Sequence, residues 1–158
     1  MAGNVSISSQ MQLMLRDREF PELAEQLRGK KVFVWTCNTC ARLCDVGGSA
    51  NAQRLAASLR SEGVEVTGVG SAKAACVMSS VIDATCSASQ SCDVVLALTC
   101  DVGSRVAGEA FRRPCLNPIV TLGTGFLDAS RTPVLKGEPE KPLQALSDEN
   151  SLPAGPFL

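Results

Sequence analysis

Apolar and polar positions divide the chain into short blocks of changing period. From Ser9 to Lys30 the apolar members Met11, Leu13, Met14, Leu15, Phe20, Leu23, Ala24 and Leu27 read as helical. Pro21 would divide that stretch into two short helices, with Gly29 as the stop. Lys31–Thr36 is apolar at nearly every position, as in a strand covered on both faces. Ser49–Arg60 returns to helical spacing, with Ala52, Leu55, Ala56 and Leu59 on one face and Gly63 behind it. Val64–Val69 alternates as a strand and stops at Gly68-Val69-Gly70. A helix is expected from Ala72 to Thr85, followed by a Ser-rich loop from Cys86 to Cys92. Asp93–Thr99 reads as a third buried strand, and a helix capped by Ser104 reaches Phe111. Leu116–Leu122 is a fourth strand, closed by a Gly123-Thr124-Gly125 turn.

Strands that alternate with helices through about 90 residues predict an α/β fold with right-handed crossovers. The expectation is a small open parallel sheet of about four strands with flanking helices, flavodoxin- or Rossmann-like. Residues 1–8 are polar and read as mobile. Residues 1–30 would form an N-terminal helical arm and 31–130 the α/β domain. Five of the eight prolines fall in Pro133–Leu158, so 131–158 is expected to be an extended C-terminal arm.

Composition narrows the chemistry. At 158 residues the chain has one domain's worth of core. A net charge of −1 gives no pull toward nucleic acid or an anionic membrane. Apolar runs fall short of the roughly 18 residues that span a bilayer. The N-terminus lacks the basic and then apolar order of a secretory signal. A cytoplasmic location follows as the expectation, and there eight cysteines serve metal or redox chemistry more often than disulfides. Histidine is absent, which excludes Cys–His nucleophilic catalysis and any mixed Cys/His zinc site. Tyrosine is also absent and aromatics make up 4%, so stacking platforms are scarce.

The candidate chemistry lies in Cys37-Asn38-Thr39-Cys40-Ala41-Arg42-Leu43-Cys44, a C-x2-C-x3-C run between a strand and Gly47-Gly48. Thiolate is a soft ligand suited to zinc or to an iron–sulfur cluster. In an open parallel sheet, functional groups gather beyond the carboxyl ends of the strands. Cys37, Cys40 and Cys44 follow the first strand, Cys76 the second and Cys100 the third, so all five belong to that edge. Cys100 reads as the fourth ligand. Cys76 stays open between ligand, neighbour of the ligands and core residue. Cys86, Cys92 and Cys115 precede strands and read as small buried hydrophobes. All-cysteine zinc sites usually pair two C-x2-C knuckles, and here there is one. Three clustered cysteines with a remote fourth favour [4Fe–4S], with zinc as the alternative. Gly47-Gly48 is expected to allow close backbone approach to the metal. Gly68-Val69-Gly70 lacks the third glycine of a dinucleotide fingerprint.

A family resemblance rests on these residues. The run C-x2-C-x3-C-x-V-G-G, the strand Asp93–Thr99 leading into Cys100-Asp101-Val102-Gly103, and Leu116-Asn117-Pro118 resemble the small cysteine-rich subunit of bacterial methylenetetrahydrofolate reductases, across about Lys31 to Ala129. The resemblance implies an accessory, non-catalytic subunit of an oxidoreductase complex. It would hold an iron–sulfur cluster, or zinc, through Cys37, Cys40, Cys44, Cys76 and Cys100. Its implied partner is a flavin-bearing TIM-barrel reductase of one-carbon metabolism, in a hetro-oligomer open to other electron-transfer subunits. Asp101 stands where the family has glycine, and the ferredoxin-like run of other members is missing, which leaves one cluster. A complete reductase barrel needs about 250 residues, so this chain is not the catalytic subunit.

Overall fold

The computed structural model describes residues 10–158, so the expectation for residues 1–8 lies outside the described part. The first element is a strand, β1 (Met11–Arg16), where a helix was expected. Its Leu13-Met14-Leu15 run is wholly buried, and a short continuous apolar run carries no period that separates strand from helix. A partner strand decides the matter. Pro21 lies in the first turn of helix α1 (Phe20–Leu27), where its missing N–H costs nothing, so it starts that helix instead of splitting one.

The cysteine-bearing sheet follows. Strand β2 (Lys31–Cys37) is buried from Val32 onward. A one-turn helix α2 (Cys40–Leu43), helix α3 (Ser49–Ser61) and strand β3 (Glu65–Ala72) come next. Only Met78–Asp83 of the helix expected at 72–85 is helical (α4), and Cys76 precedes it. The Ser-rich loop contains a single turn, α5 (Ser87–Gln90). Strand β4 (Val94–Leu98) leads into helix α6 (Asp101–Phe111), which starts directly after Cys100 and not at Ser104. The order is β3-β2-β4-β5, all parallel, with β5 only Cys115–Leu116.

The expected fourth strand is cut at Asn117-Pro118. Beyond it β6 (Ile119–Leu127) joins a second sheet, antiparallel, of order β1-β6-β7-β8. This sheet overturns the single parallel, flavodoxin-like fold. Gly123-Thr124-Gly125 lies inside β6 instead of forming a turn. The register slips opposite Leu13/Met14, which makes a bulge at Leu122 and Gly123, and Gly123 has φ +149°. A Cβ on Gly125 would stand 2.1 Å from the Val134 carbonyl oxygen, so only glycine lets β7 (Pro133–Leu135) approach.

The extended C-terminal arm is overturned as well. Residues beyond 131 supply β7, β8 (Lys141–Pro142) and helix α7 (Leu143–Asn150), which buries Leu143 and Leu146. The last turn of chain is tied down by Arg16. Its Nε donates to the Gly155 carbonyl at 2.9 Å, and its guanidinium lies 5.4 Å from the Phe157 ring centroid. Prolines here shape turns around buried apolar anchors, so their number did not mark disorder.

Phe33 and Trp35 share one face of β2 and meet Phe111 of α6 edge-on, at centroid distances of 5.6 and 5.0 Å. A Cβ on Gly70 would lie 2.7 Å from Phe33 Cζ, and one on Gly68 2.7 Å from the Ala88 methyl. The Gly-Val-Gly of β3 is therefore room for packing. Among the described residues, no helix is long and apolar enough to cross a membrane.

Leu13→Ala tests the place of β1. Leu13 is fully buried, so the change should cost about 2–5 kcal/mol in urea unfolding, where the same change in an exposed arm would cost nothing.

Candidate functional site

Strand β2 lies between β3 and β4, so the chain leaves it in one direction and returns on the other side. The carboxyl ends of β2 and β4, paired as far as Thr36↔Leu98, diverge into the crevice that such a reversal of strand order creates. Cys37 ends β2, Cys40 opens α2 three residues later, and Cys100 is the residue before α6. Cys76 arrives from the far side, in the irregular segment between β3 and α4.

These four cysteines line one cleft of about 590 Å³, together with Thr39, Ala74, Ala75, Thr99, Val102 and Gly103. The opposing wall comes from the antiparallel sheet: Gln10, Met11, Gln12 and Thr124. Every lining residue is uncharged. Arg42, Lys73 and Arg105 are not among the lining residues.

Backbone donors are directed at three of the sulfurs. Gln12 N–H donates to Cys40 Sγ at 3.4 Å and Thr39 N–H to Cys37 Sγ at 3.5 Å. The N–H groups of Val102 and Gly103, in the first turn of α6, lie toward Cys100 Sγ and favour its thiolate. Burial pushes the Cys40 and Cys100 thiols up, and these N–H groups pull them partly back. A Cβ on Gly103 would stand 2.9 Å from that of Thr99, so this glycine lets the helix start close against the strand end.

Cys44 does not join the set. It is buried on the other side of α2, where its thiol donates to the Gln12 carbonyl at 3.4 Å, and burial pushes it up to about 12. Gly47-Gly48 also stays out of the cleft. A Cβ on Gly47 would stand 2.6 Å from Thr36 Oγ1 and 2.9 Å from the Leu98 carbonyl oxygen, so this glycine serves packing on the strand ends. The start of α3 is likewise used locally, with Gly48 N–H bonded to Thr36 Oγ1 and Ser49 N–H to Asn38 Oδ1. Cys86, Cys92 and Cys115 lie away from the cleft, but only Cys92 is buried as expected; Cys115 is half-buried and Cys86, at the start of a one-turn helix, is exposed.

Four thiols and no imidazole form a donor set for a soft centre. Among the described residues no three His, Cys, Asp or Glu side chains stand in an arrangement to hold a metal ion. A single zinc ion requires such convergence, with every sulfur about 2.3 Å from one point. A cluster carries its irons outward to the ligands and needs room instead. The cleft, at about 590 Å³, has that room.

Gln10, Met11, Gln12 and Thr124 were missed as site residues from the sequence, because 9–30 read as helix and 123–125 as a turn. No family model, no curated protein and no solved structure matches the chain.

Thiol reactivity follows from this placement, because the thiolate is the nucleophile. Exposed Cys76 and Cys86 should alkylate first with iodoacetamide in metal-free protein. Cys44, pushed up to about 12, has about one thiolate in 10⁵ at pH 7 and should label last, with buried Cys92 also slow. Peptide mass spectrometry over time reads the order, and early labelling of Cys44 would contradict its placement.

Proposed function

We propose that this chain is a one-cluster accessory subunit of a methylenetetrahydrofolate reductase-type redox complex, holding [4Fe–4S] through Cys37, Cys40, Cys76 and Cys100. The supporting observation is that four cysteines, from three separate segments, line one uncharged cleft at the carboxyl edge of the parallel sheet. A bound cluster supplies one-electron transfer. The chain's own part is to hold and tune it. Thr39, Gln12, Val102 and Gly103 N–H groups stabilise negative charge on the sulfurs, and the wall of β1 and β6 limits water.

The partner in this reading is a flavin-bearing barrel reductase, to which the subunit passes electrons or which it completes structurally, in a reducing cytoplasm. Support comes from the surface. Val77, Met78, Ile82 and Val102 are exposed, and they adjoin the cleft: three follow Cys76 in the chain and Val102 lines the cleft itself. Exposed apolar side chains gathered at one site mark a docking face. The alternative of a structural zinc module needs the thiols drawn together first, since none of the described trios is placed for an ion.

Anaerobic reconstitution with ferrous iron and sulfide tests the reading. Wild type should take up about four irons per chain, the content of one such cluster. Its fluorescence should fall, because Trp35, the one tryptophan, lies two residues before Cys37 on the same face of β2. Cys37→Ala and Cys40→Ala should stay empty. Cys44→Ala should fill normally and lose roughly 1–2 kcal/mol of stability, having given up one buried thiol and its hydrogen bond. A colourless wild type binding one zinc would refute the cluster.

The docking face has its own test. Met78→Glu and Ile82→Glu, both outside the cleft lining, should leave the iron content unchanged and weaken binding to the reductase by about fivefold or more, as measured by titration calorimetry.

A further inference from the structure

The four thiols are not held alike. Cys37, Cys40 and Cys100 sit at the ends of regular elements, and each sulfur has at least one backbone N–H directed at it. β2, which carries Cys37, and β4, which ends two residues before Cys100, are the most buried strands of the parallel sheet. Cys76 differs in placement and in exposure. It sits in a turn closed by Val77 N–H to the Ala74 carbonyl at 3.2 Å, outside any helix or strand. Its side chain is exposed, whereas Cys37 is buried and Cys40 and Cys100 are half-buried.

From this asymmetry we propose that Cys76 is the exchangeable ligand of a three-plus-one set, and that the iron it holds can accept an exogenous donor from the cleft. The proposal rests on the cluster reading above and deepens it. A thiolate exposed on a surface turn has less to hold it in place than three sulfurs fixed at element ends. The cleft of about 590 Å³ leaves open space beside it. Its uncharged lining, with Gln10, Gln12, Thr99 and Thr124 as hydrogen-bonding groups, suits a small neutral molecule that binds through sulfur, oxygen or nitrogen.

The chain to use is the full-length protein, as wild type, Cys76→Ala, Cys37→Ala and Cys100→Ala, each reconstituted anaerobically. The probe ligand is 2-mercaptoethanol. Cys76→Ala should hold three to four irons, while Cys37→Ala and Cys100→Ala hold fewer than one. The EPR spectrum of reduced Cys76→Ala should change when 2-mercaptoethanol is added, as its sulfur takes the vacant position, and that of wild type should change less. Ferricyanide should convert Cys76→Ala to a three-iron cluster at least tenfold faster than wild type. In that step [4Fe–4S]²⁺ gives one electron to ferricyanide and releases one Fe²⁺, leaving [3Fe–4S]⁺. An empty Cys76→Ala beside a filled wild type overturns the assignment. So does a Cys76→Ala identical to wild type in iron, spectrum and ferricyanide rate, since Cys76 would then not be a ligand. An iron-filled Cys100→Ala overturns it too, by moving the weak position. Circular dichroism of the metal-free variants separates loss of ligand from loss of fold. An empty wild type instead fails the cluster reading itself.

Discussion

The main chain of Gln12 joins the two halves of this molecule at the point where chemistry is available. Its N–H donates to Cys40 Sγ and its carbonyl accepts from Cys44 Sγ, each at 3.4 Å. One residue of the antiparallel sheet thus grips both ends of the short helix α2, which has only one turn of its own to keep it helical. Without β1 the cysteine loop would have a sheet on one side and water on the other. With it, Cys40 faces the cleft and Cys44 is buried away from it. The different roles of two cysteines four residues apart follow from that contact.

β1 can take this position because β6 holds it on one edge and Arg16 fastens the end of the chain to it. Arg16 is itself buried, with its guanidinium shared among Glu19, the Ala154 and Gly155 carbonyls and the face of Phe157. A buried cation so fully engaged is costly to disturb, which makes the junction of N- and C-terminal segments a rigid one. The glycines of β6 belong to the same arrangement, since any side chain at Gly125 would hold β7 away. The cleft therefore has two stiff walls and one irregular side, the turn that carries Cys76.

The surroundings of the thiols favour a low net charge. An uncharged lining offers no cation to offset four thiolates, so the N–H groups of Gln12, Thr39, Val102 and Gly103 are the available stabilisation. These groups are positioned by strand and helix ends. The aromatic cluster of Phe33, Trp35 and Phe111 packs behind Cys37 on the same face of β2 and keeps that strand end from shifting.

By itself the sequence determined the elements whose pattern has one physical reading. The β-branched run of β2 can only be a strand covered on both faces, the apolar stripe of α3 can only face a sheet, and a cysteine directly after a strand belongs to its carboxyl end. Tertiary structure decided what depends on a distant partner. Leu13-Met14-Leu15 is strand because β6 supplies its hydrogen bonds, and Leu116–Leu122 is broken because Pro118 cannot continue a ladder into the first sheet. The prolines beyond 131 suggested an arm, yet Leu143, Leu146 and Phe157 find a buried surface that no local pattern foretells. Cys44 carries the same spacing signal as its neighbours, and only the carbonyl of Gln12, 32 residues earlier, turns it away.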